Sequence, residues 1–269
     1  MSIIGVIKSY WNPLALKWTM WRLRRTPSRM TLAPDAWNRS VTEPTEFYLE
    51  CLRSFQIELP VALQRHRTYF SEPGKARGFG EHAFHTMWDL LLREFKPPSF
   101  LEIGVFRGQT ISLVTLWSRL NKAPCEVWGI SPFSGAEDSV SKFPQGLDYL
   151  KDTLLNFDHF GLPHPRLVRA FSTDPEALQT IQSRRWDMIY IDGNHDEDIV
   201  RKDWDNCSAS IKPGGIIVLD DSGLGTTYRA PCFAFAGWPG PSRIAQEIDR
   251  SAFRELMQVG HNRVFQKLP

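Results

Sequence analysis

At 269 residues the chain is long enough for one large α/β domain with extra elements at its N-terminus. Hydrophobic residues at 42% and charged residues at 23% are ordinary for a soluble globular protein, and a net charge of +2 gives no case for general nucleic-acid binding. Four dispersed cysteines, Cys51, Cys125, Cys207 and Cys232, form no CxxC pair, which argues against a zinc site or a disulfide framework and for reduced thiols in a cytoplasm.

In chain order, residues 1–34 carry Lys8, Lys17, Arg22, Arg24, Arg25 and Arg29 and no acid, with Trp11, Trp18 and Trp21 interleaved. Two readings stand: a basic amphipathic segment on an anionic membrane surface, or an arm packed on the domain or on a second subunit of a homo-oligomer. The second is the commoner outcome of such a pattern. No apolar run is long enough to span a bilayer, and MSIIGVIKSYW lacks a signal-peptide apolar region with a cleavage site. The expectation is a cytoplasmic protein, with any membrane contact peripheral.

Residues 43–70 read as helical with a break near Pro60, and the Gly/Pro-rich loop EPGKARGFG follows. Residues 81–95 have helical apolar spacing, and Pro97 and Pro98 end that helix. His82 and His85, three apart on it, read as structural or substrate-lining. This organisation predicts an N-terminal basic arm and helical extension over 1–77 and a main domain over 78–269.

From residue 99 strands and helices alternate: SFLEI, a turn, QTISLVTLWSRL, VWGIS, a helix over 145–160, RLVRAF, PEALQTIQ, WDMIYID, a helix over 196–210, GGIIVLDD, a helix over 242–257, and a last strand RVFQKL. Such alternation builds βαβ units and a mostly parallel sheet with helices on both faces. Ligands of these sheets lie beyond the carboxyl ends of the strands.

The first strand leads into the pattern E-x-G-x-x-x-G-x-T, formed by Glu102, Gly104, Gly108 and Thr110. The four-residue glycine spacing differs from the G-x-G-x-x-G fingerprint and disfavours a pyrophosphate cradle. A tight strand-to-helix turn with no ligand would use the same glycines. At the far strand ends, Asp192 and the pair Asp220–Asp221 fall on adjacent strands about 4.8 Å apart. Crowded carboxylates need a cation or protons between them, and hard oxygen donors suit Mg²⁺, Mn²⁺ or Ca²⁺. Turn formation and capping are the plainer uses of the same residues. His195 follows Asp192 by three positions in DGNH, beside that cluster, where an imidazole suits proton transfer.

LEIGVFRGQT, WDMIYIDGNH and IKPGGIIVLDD, in this order, resemble the motifs of class I S-adenosylmethionine-dependent methyltransferases. The nearest resemblance is to the branch that includes macrocin-type sugar O-methyltransferases and cephalosporin-hydroxylase-like proteins. It covers roughly residues 78–268. It implies a Rossmann-like, doubly wound, mostly parallel seven-stranded sheet with an N-terminal helical extension. It also implies S-adenosylmethionine along Glu102, Gly104, Gly108, Thr110, Ser131, Ser172, Thr173 and Asp192. Mg²⁺ or another divalent ion such as Mn²⁺ would sit at Asp192, Asp220 and Asp221, with His195 as general base. The acceptor would be a hydroxyl on a small molecule, sugar or glycan. One departure is Ser131, where the family usually has an acid for the ribose hydroxyls. Glu137 or Asp138 would have to compensate, and a catalytically inactive homologue that binds S-adenosylmethionine and metal, acting as a pathway partner, is the alternative. The stretch 222–242, SGLGTTYRAPCFAFAGWPGPS, reads as a lid, with Tyr228, Arg229, Phe233, Phe235 and Trp238 available to an acceptor.

Overall fold

The computed structural model describes residues 12–26, 35–75 and 77–269, so most of the basic arm's flanks, 1–11 and 27–34, lie outside the described residues. Five helices come first: α1 (Pro13–Leu23), α2 (Ala36–Thr42), α3 (Pro44–Ile57), α4 (Val61–Phe70) and α5 (His82–Phe95). Proline opens α1 and α3, where the missing N–H costs nothing. Pro60 separates α3 from α4. The α5 helix buries nearly every side chain from Ala83 to Leu92, so it is a core helix.

The alternating part follows as β1 (Ser99–Ile103), α6 (Gln109–Asn121), β2 (Glu126–Ser131), α7 (Tyr149–His159), β3 (Arg166–Arg169), α8 (Pro175–Gln182), β4 (Trp186–Ile191), α9 (Glu197–Ser210), β5 (Ile211–Leu219), α10 (Pro239–Glu247), β6 (Phe253–Val259) and β7 (Asn262–Lys267). The strands form one seven-stranded sheet in the order β3-β2-β1-β4-β5-β7-β6. Only β7 runs against its neighbours: β1 to β5 pair in parallel, and β7 pairs antiparallel with both β5 and β6. This is the Rossmann-like, doubly wound, mostly parallel arrangement expected.

The N-terminal helices share a core with one face of the sheet, from Leu16, Phe47, Leu52 and Met87 to Phe100, Met188 and Val264. The opposite face packs Ile103, Ile130, Trp186, Val200, Ile217 and Phe265. Burial of both faces explains why β1, β4 and β5 read as apolar runs rather than alternations.

Two expectations fail here. The helix expected over 242–257 is α10 only to Glu247, and its second half is β6. FRELMQV contains good helix formers, but a hairpin through Gly260, at φ +60°, pairs it with β7 from Phe253↔Lys267 to Val259↔Asn262. Tertiary pairing overrides local preference there. The helix expected over 145–160 begins only at Tyr149, where the Asp148 carboxylate accepts from the Lys151 N–H as N-cap.

Candidate active site

In register, Ile103 of β1, Ile191 of β4 and Leu219 of β5 lie side by side. The next residues on each strand, Gly104, Asp192 and Asp220–Asp221, therefore meet just beyond the sheet. Backbone bonds hold the tips: Gly104 N–H to Ile130 O at 2.9 Å, Asp192 N–H to Ile103 O at 2.8 Å and Asp220 N–H to Ile191 O at 3.0 Å. Gly104 takes φ +99°, and a Cβ there would collide with the carbonyl of Asp192. The neighbouring strand by itself therefore requires glycine here. Gly108, at φ +79°, is the N-cap of α6.

Glu102 is buried at the carboxyl end of β1. It accepts hydrogen bonds from Thr110 and from the Ile111 N–H, yet its Oε2 has no partner. Burial pushes this carboxyl up to about 8, against the pull of those bonds. A buried carboxylate oxygen without a partner is costly and fits a donor supplied from outside the chain. Ser131 is buried too, but its hydroxyl accepts from the N–H of Phe133, which sits at φ +47°. Of the two expected substitutes for the missing ribose acid, Glu137 is exposed and Asp138 bonds to His195. Ser172 and Thr173 lie just before α8, whose N-cap is Asp174.

Asp138, from the long β2–α7 connection, reaches the β4–α9 loop. Its Oδ2 lies 2.6 Å from His195 Nδ1 and accepts the His195 N–H at 3.1 Å, while its Oδ1 accepts from the Val140 and Ser141 N–H groups. Burial raises this carboxyl, but its bonds outweigh that and bring it down to about 2. The other ring nitrogen of His195, Nε2, lies 2.9 Å from Asp221 Oδ2. Burial disfavours the charged ring, yet the two carboxylates raise His195 to about 10. In this arrangement His195 is an imidazolium that donates at both ends.

His261, in the β6–β7 turn, completes the site and was not singled out from the sequence. Its Nε2 lies 3.4 Å from Asp220 Oδ1 and 3.5 Å from Asp221 Oδ1, and Nδ1 lies 3.9 Å from Glu81 Oε1. Burial opposes its charge, but Asp220 and Asp221 raise it to about 10. The position follows from topology: the start of antiparallel β7 lies beside the end of β5, and the Ser222 N–H donates to His261 O at 2.8 Å. Among the described residues, Asp220, Asp221 and His261 are the group that brings three ligand atoms within 4.8 Å of one another. Asp192 stands against Asp220. Burial and that neighbour push Asp192 up, while His261 outweighs burial at Asp220 and lowers it.

Asp221 adopts a left-handed backbone, φ +51°, and its carbonyl accepts from the Trp238 N–H at 2.8 Å. That bond folds the stretch after β5 back over the site. Tyr228 and Phe233 are buried in the core, so they are packing residues, and the Phe235 N–H donates to buried Glu81 at 2.9 Å. Phe235 and Trp238 lie against the histidines, with Phe235 at 5.6 Å from His261 and Trp238 at 6.2 Å from His195 between ring centroids. Residues 239–242 of the expected lid belong to α10, which runs on to Glu247. A small cleft is lined by Asp192, Asn194, His195, Asp220, Asp221 and Pro241. His82 and His85 face away from it: His82 stacks edge-on against Phe55, and His85 Nε2 lies 3.0 Å from His66 Nδ1.

A family model described as "Methyltransferase domain" matches residues 101–222, which span β1 to the end of β5 and hold Glu102, His195, Asp220 and Asp221. No curated protein matches the chain by sequence. Solved structures share the fold at low identity. An O-methyltransferase from Bacillus cereus, in complex with S-adenosylhomocysteine, is 14% identical with a TM-score of 0.51, covering 80% of this chain and 95% of that one. A methyltransferase from Podospora anserina, also bound to S-adenosylhomocysteine, is 17% identical with a TM-score of 0.53, covering 91% and 100%. An O-methyltransferase of tomaymycin synthesis from Streptomyces achromogenes, in complex with S-adenosylmethionine, is 15% identical with a TM-score of 0.51, covering 87% and 99%.

Proposed function

We propose that this chain, whose residues 101–222 match a methyltransferase-domain model and whose fold is shared with solved methyltransferases, transfers the methyl group of S-adenosylmethionine to a hydroxyl oxygen of a small molecule, sugar or glycan, with a divalent cation at the strand tips. One observation carries this reading. Two carboxylates at the end of β5 are faced by two histidines, His261 buried and His195 partly so, inside the domain whose β1 end leaves Glu102 Oε2 without a partner.

The donor set fits a cation. Asp220, Asp221 and His261 would hold it, with Asp192 beside them. Mixed carboxylate and imidazole donors suit Mn²⁺ and its transition-metal neighbours at least as well as Mg²⁺. Such an ion lowers the pKa of a hydroxyl it holds, and S-adenosylmethionine contributes an electrophilic methyl on sulfur. Glu102 Oε2 would take the cofactor's amino group, with Thr110 at the start of α6 beside it and Ser131 on the ribose side.

His195 is the proton acceptor in this reading, and Asp138 orients its ring through Nδ1. Nε2 is the face that can receive a proton, and it does so only when Asp221 turns its charge to another partner. Phe235 and Trp238, whose rings lie beside the two histidines, would shield them from water. The test is labelled-methyl transfer over a panel of hydroxylated natural products and sugars. Product is expected with the wild-type chain, and His195→Ala should lower turnover by about 10²–10⁴-fold while leaving cofactor affinity near its original value. Transfer to nitrogen or carbon acceptors only, or an unaffected His195→Ala variant, would refute the assignment.

A further inference from the structure

The α1 helix has two apolar faces. Leu16, Thr19 and Leu23 are buried against the rest of the molecule, and the Arg24 side chain donates to Gln56 of α3 at 2.9 Å. Leu14, Trp18 and Trp21 follow one another at i, i+4 and i+7 on the opposite side. They are 76%, 58% and 54% exposed. An inward-packing helix needs only the first stripe.

Basic groups rim the outer stripe on both flanks. At 100° per residue, Lys17 and Arg24 fall on one side and Arg22 on the other. The Arg22 guanidinium lies 5.0 Å from the Trp18 ring centre, and that of Arg25 lies 3.5 Å from the Trp21 ring centre. The first acid of the chain is Asp35, so residues 1–34 carry six positive charges and no negative one, leaving the remaining residues at −4. A second copy docked face to face would bring these cations together with no acid on the segment to pair them.

We propose that α1 seats the protein on an anionic lipid surface, its axis in the plane of the membrane. Leu14, Trp18 and Trp21 would enter the headgroup boundary, and Lys17, Arg22, Arg24 and Arg25 would meet lipid phosphates. Tryptophan suits that boundary because one ring combines a large apolar body with an N–H donor. Among the described residues no helix is long and apolar enough to cross a membrane, so the contact lies on the surface. The negative remainder of the chain would be repelled, which fixes the orientation.

The experiment is co-sedimentation of the full chain with vesicles of phosphatidylcholine, alone or mixed with phosphatidylserine, at low and high salt. Binding is expected only with phosphatidylserine and should fall as salt rises. Each of Arg22→Gln and Arg25→Gln should weaken partitioning about fivefold. Trp18→Ala with Trp21→Ala should weaken it at least as much as both charge changes together, with thermal unfolding unchanged because the side chains are exposed. Equal binding to phosphatidylcholine alone, or variants that bind like the wild type, would overturn the proposal. So would a lipid-free dimer, seen by light scattering and abolished by the tryptophan substitutions, which would assign the face to a second copy.

Discussion

Two groups of largely buried histidines in this molecule are shifted in opposite directions. At the strand tips, His195 and His261 each face carboxylates, and both are raised to about 10. In the helical layer, His66 of α4 has His85 at 3.0 Å on one nitrogen and the Ser112 hydroxyl at 2.9 Å on the other. Burial, and then Arg67, pushes His66 down to about 3, and His82 likewise. Burial is severe in both places, so partner identity decides the outcome. A neutral hydrogen-bonded pair holds helices together. At the strand tips each imidazole instead faces carboxylates, which favour its charged form.

The largest expected effect breaks the charged group. Asp221→Ala removes the carboxylate shared by His195 and His261. Turnover should fall by about 10²–10⁴-fold or more, and divalent-ion binding should go with it. Steady-state kinetics beside metal titration would check both. Residual transfer within a factor of a few of wild type would remove the cluster from the reaction.

Gly104→Val comes next and separates structure from ligand. Its φ of +99° and the Asp192 carbonyl in the Cβ position predict a misfolded or strongly destabilised protein, by about 3 kcal/mol or more. Chemical denaturation would measure it. A normally stable variant that merely loses cofactor would restore the glycine to the binding surface.

The neutral group gives a pH prediction. With the folded His66 at about 3 and an ordinary value of 6.5, the unfolded chain takes the proton first. Its contribution is present above pH 6.5 and is lost as pH falls toward 3, on the order of 5 kcal/mol at most. His66→Asn should flatten that acid limb in denaturant titrations. The tip histidines act in the other direction. With folded values near 10, their contribution is whole below pH 6.5 and fades as pH climbs through 10. An unchanged acid limb in the variant would mean that His66 is solvated in the native state.

The smallest effect probes the aromatic cover. Trp238→Phe keeps an apolar ring beside His195 and should change turnover by less than about threefold, whereas Trp238→Ala should cost about tenfold by admitting water. Equal effects of the two would show that the ring does not shield the site.

The sheet was legible in the sequence because each strand from β1 to β5 is a short apolar run bounded by turn residues, and Asp192, His195, Asp220 and Asp221 follow such runs. β6 was not, because FRELMQV gains its strand state from the β7 partner. His261 was hidden for a related reason: a lone histidine more than forty positions beyond Asp220 becomes a neighbour only through the antiparallel return of β7. The signal existed, since the residues before RVFQKL must lie beside the end of β5 if that strand runs antiparallel. Asp138 was expected near the ribose and stands instead behind His195, because a long loop's reach is set by what it meets. Gly104 reads the same from sequence whether a ligand or a carbonyl occupies its missing Cβ.

The central claim is that the charged group at the tips of β4 and β5 is a cation site in which His261 takes part. Titrating metal-free protein with Mn²⁺, and following free Mn²⁺ by its electron paramagnetic resonance signal, tests this without knowing the acceptor. One equivalent taken up by the wild type, weakened about 10–100-fold in His261→Ala and abolished in Asp221→Asn, is the expected result. No uptake by the wild type, or uptake equal in all three proteins, would contradict it.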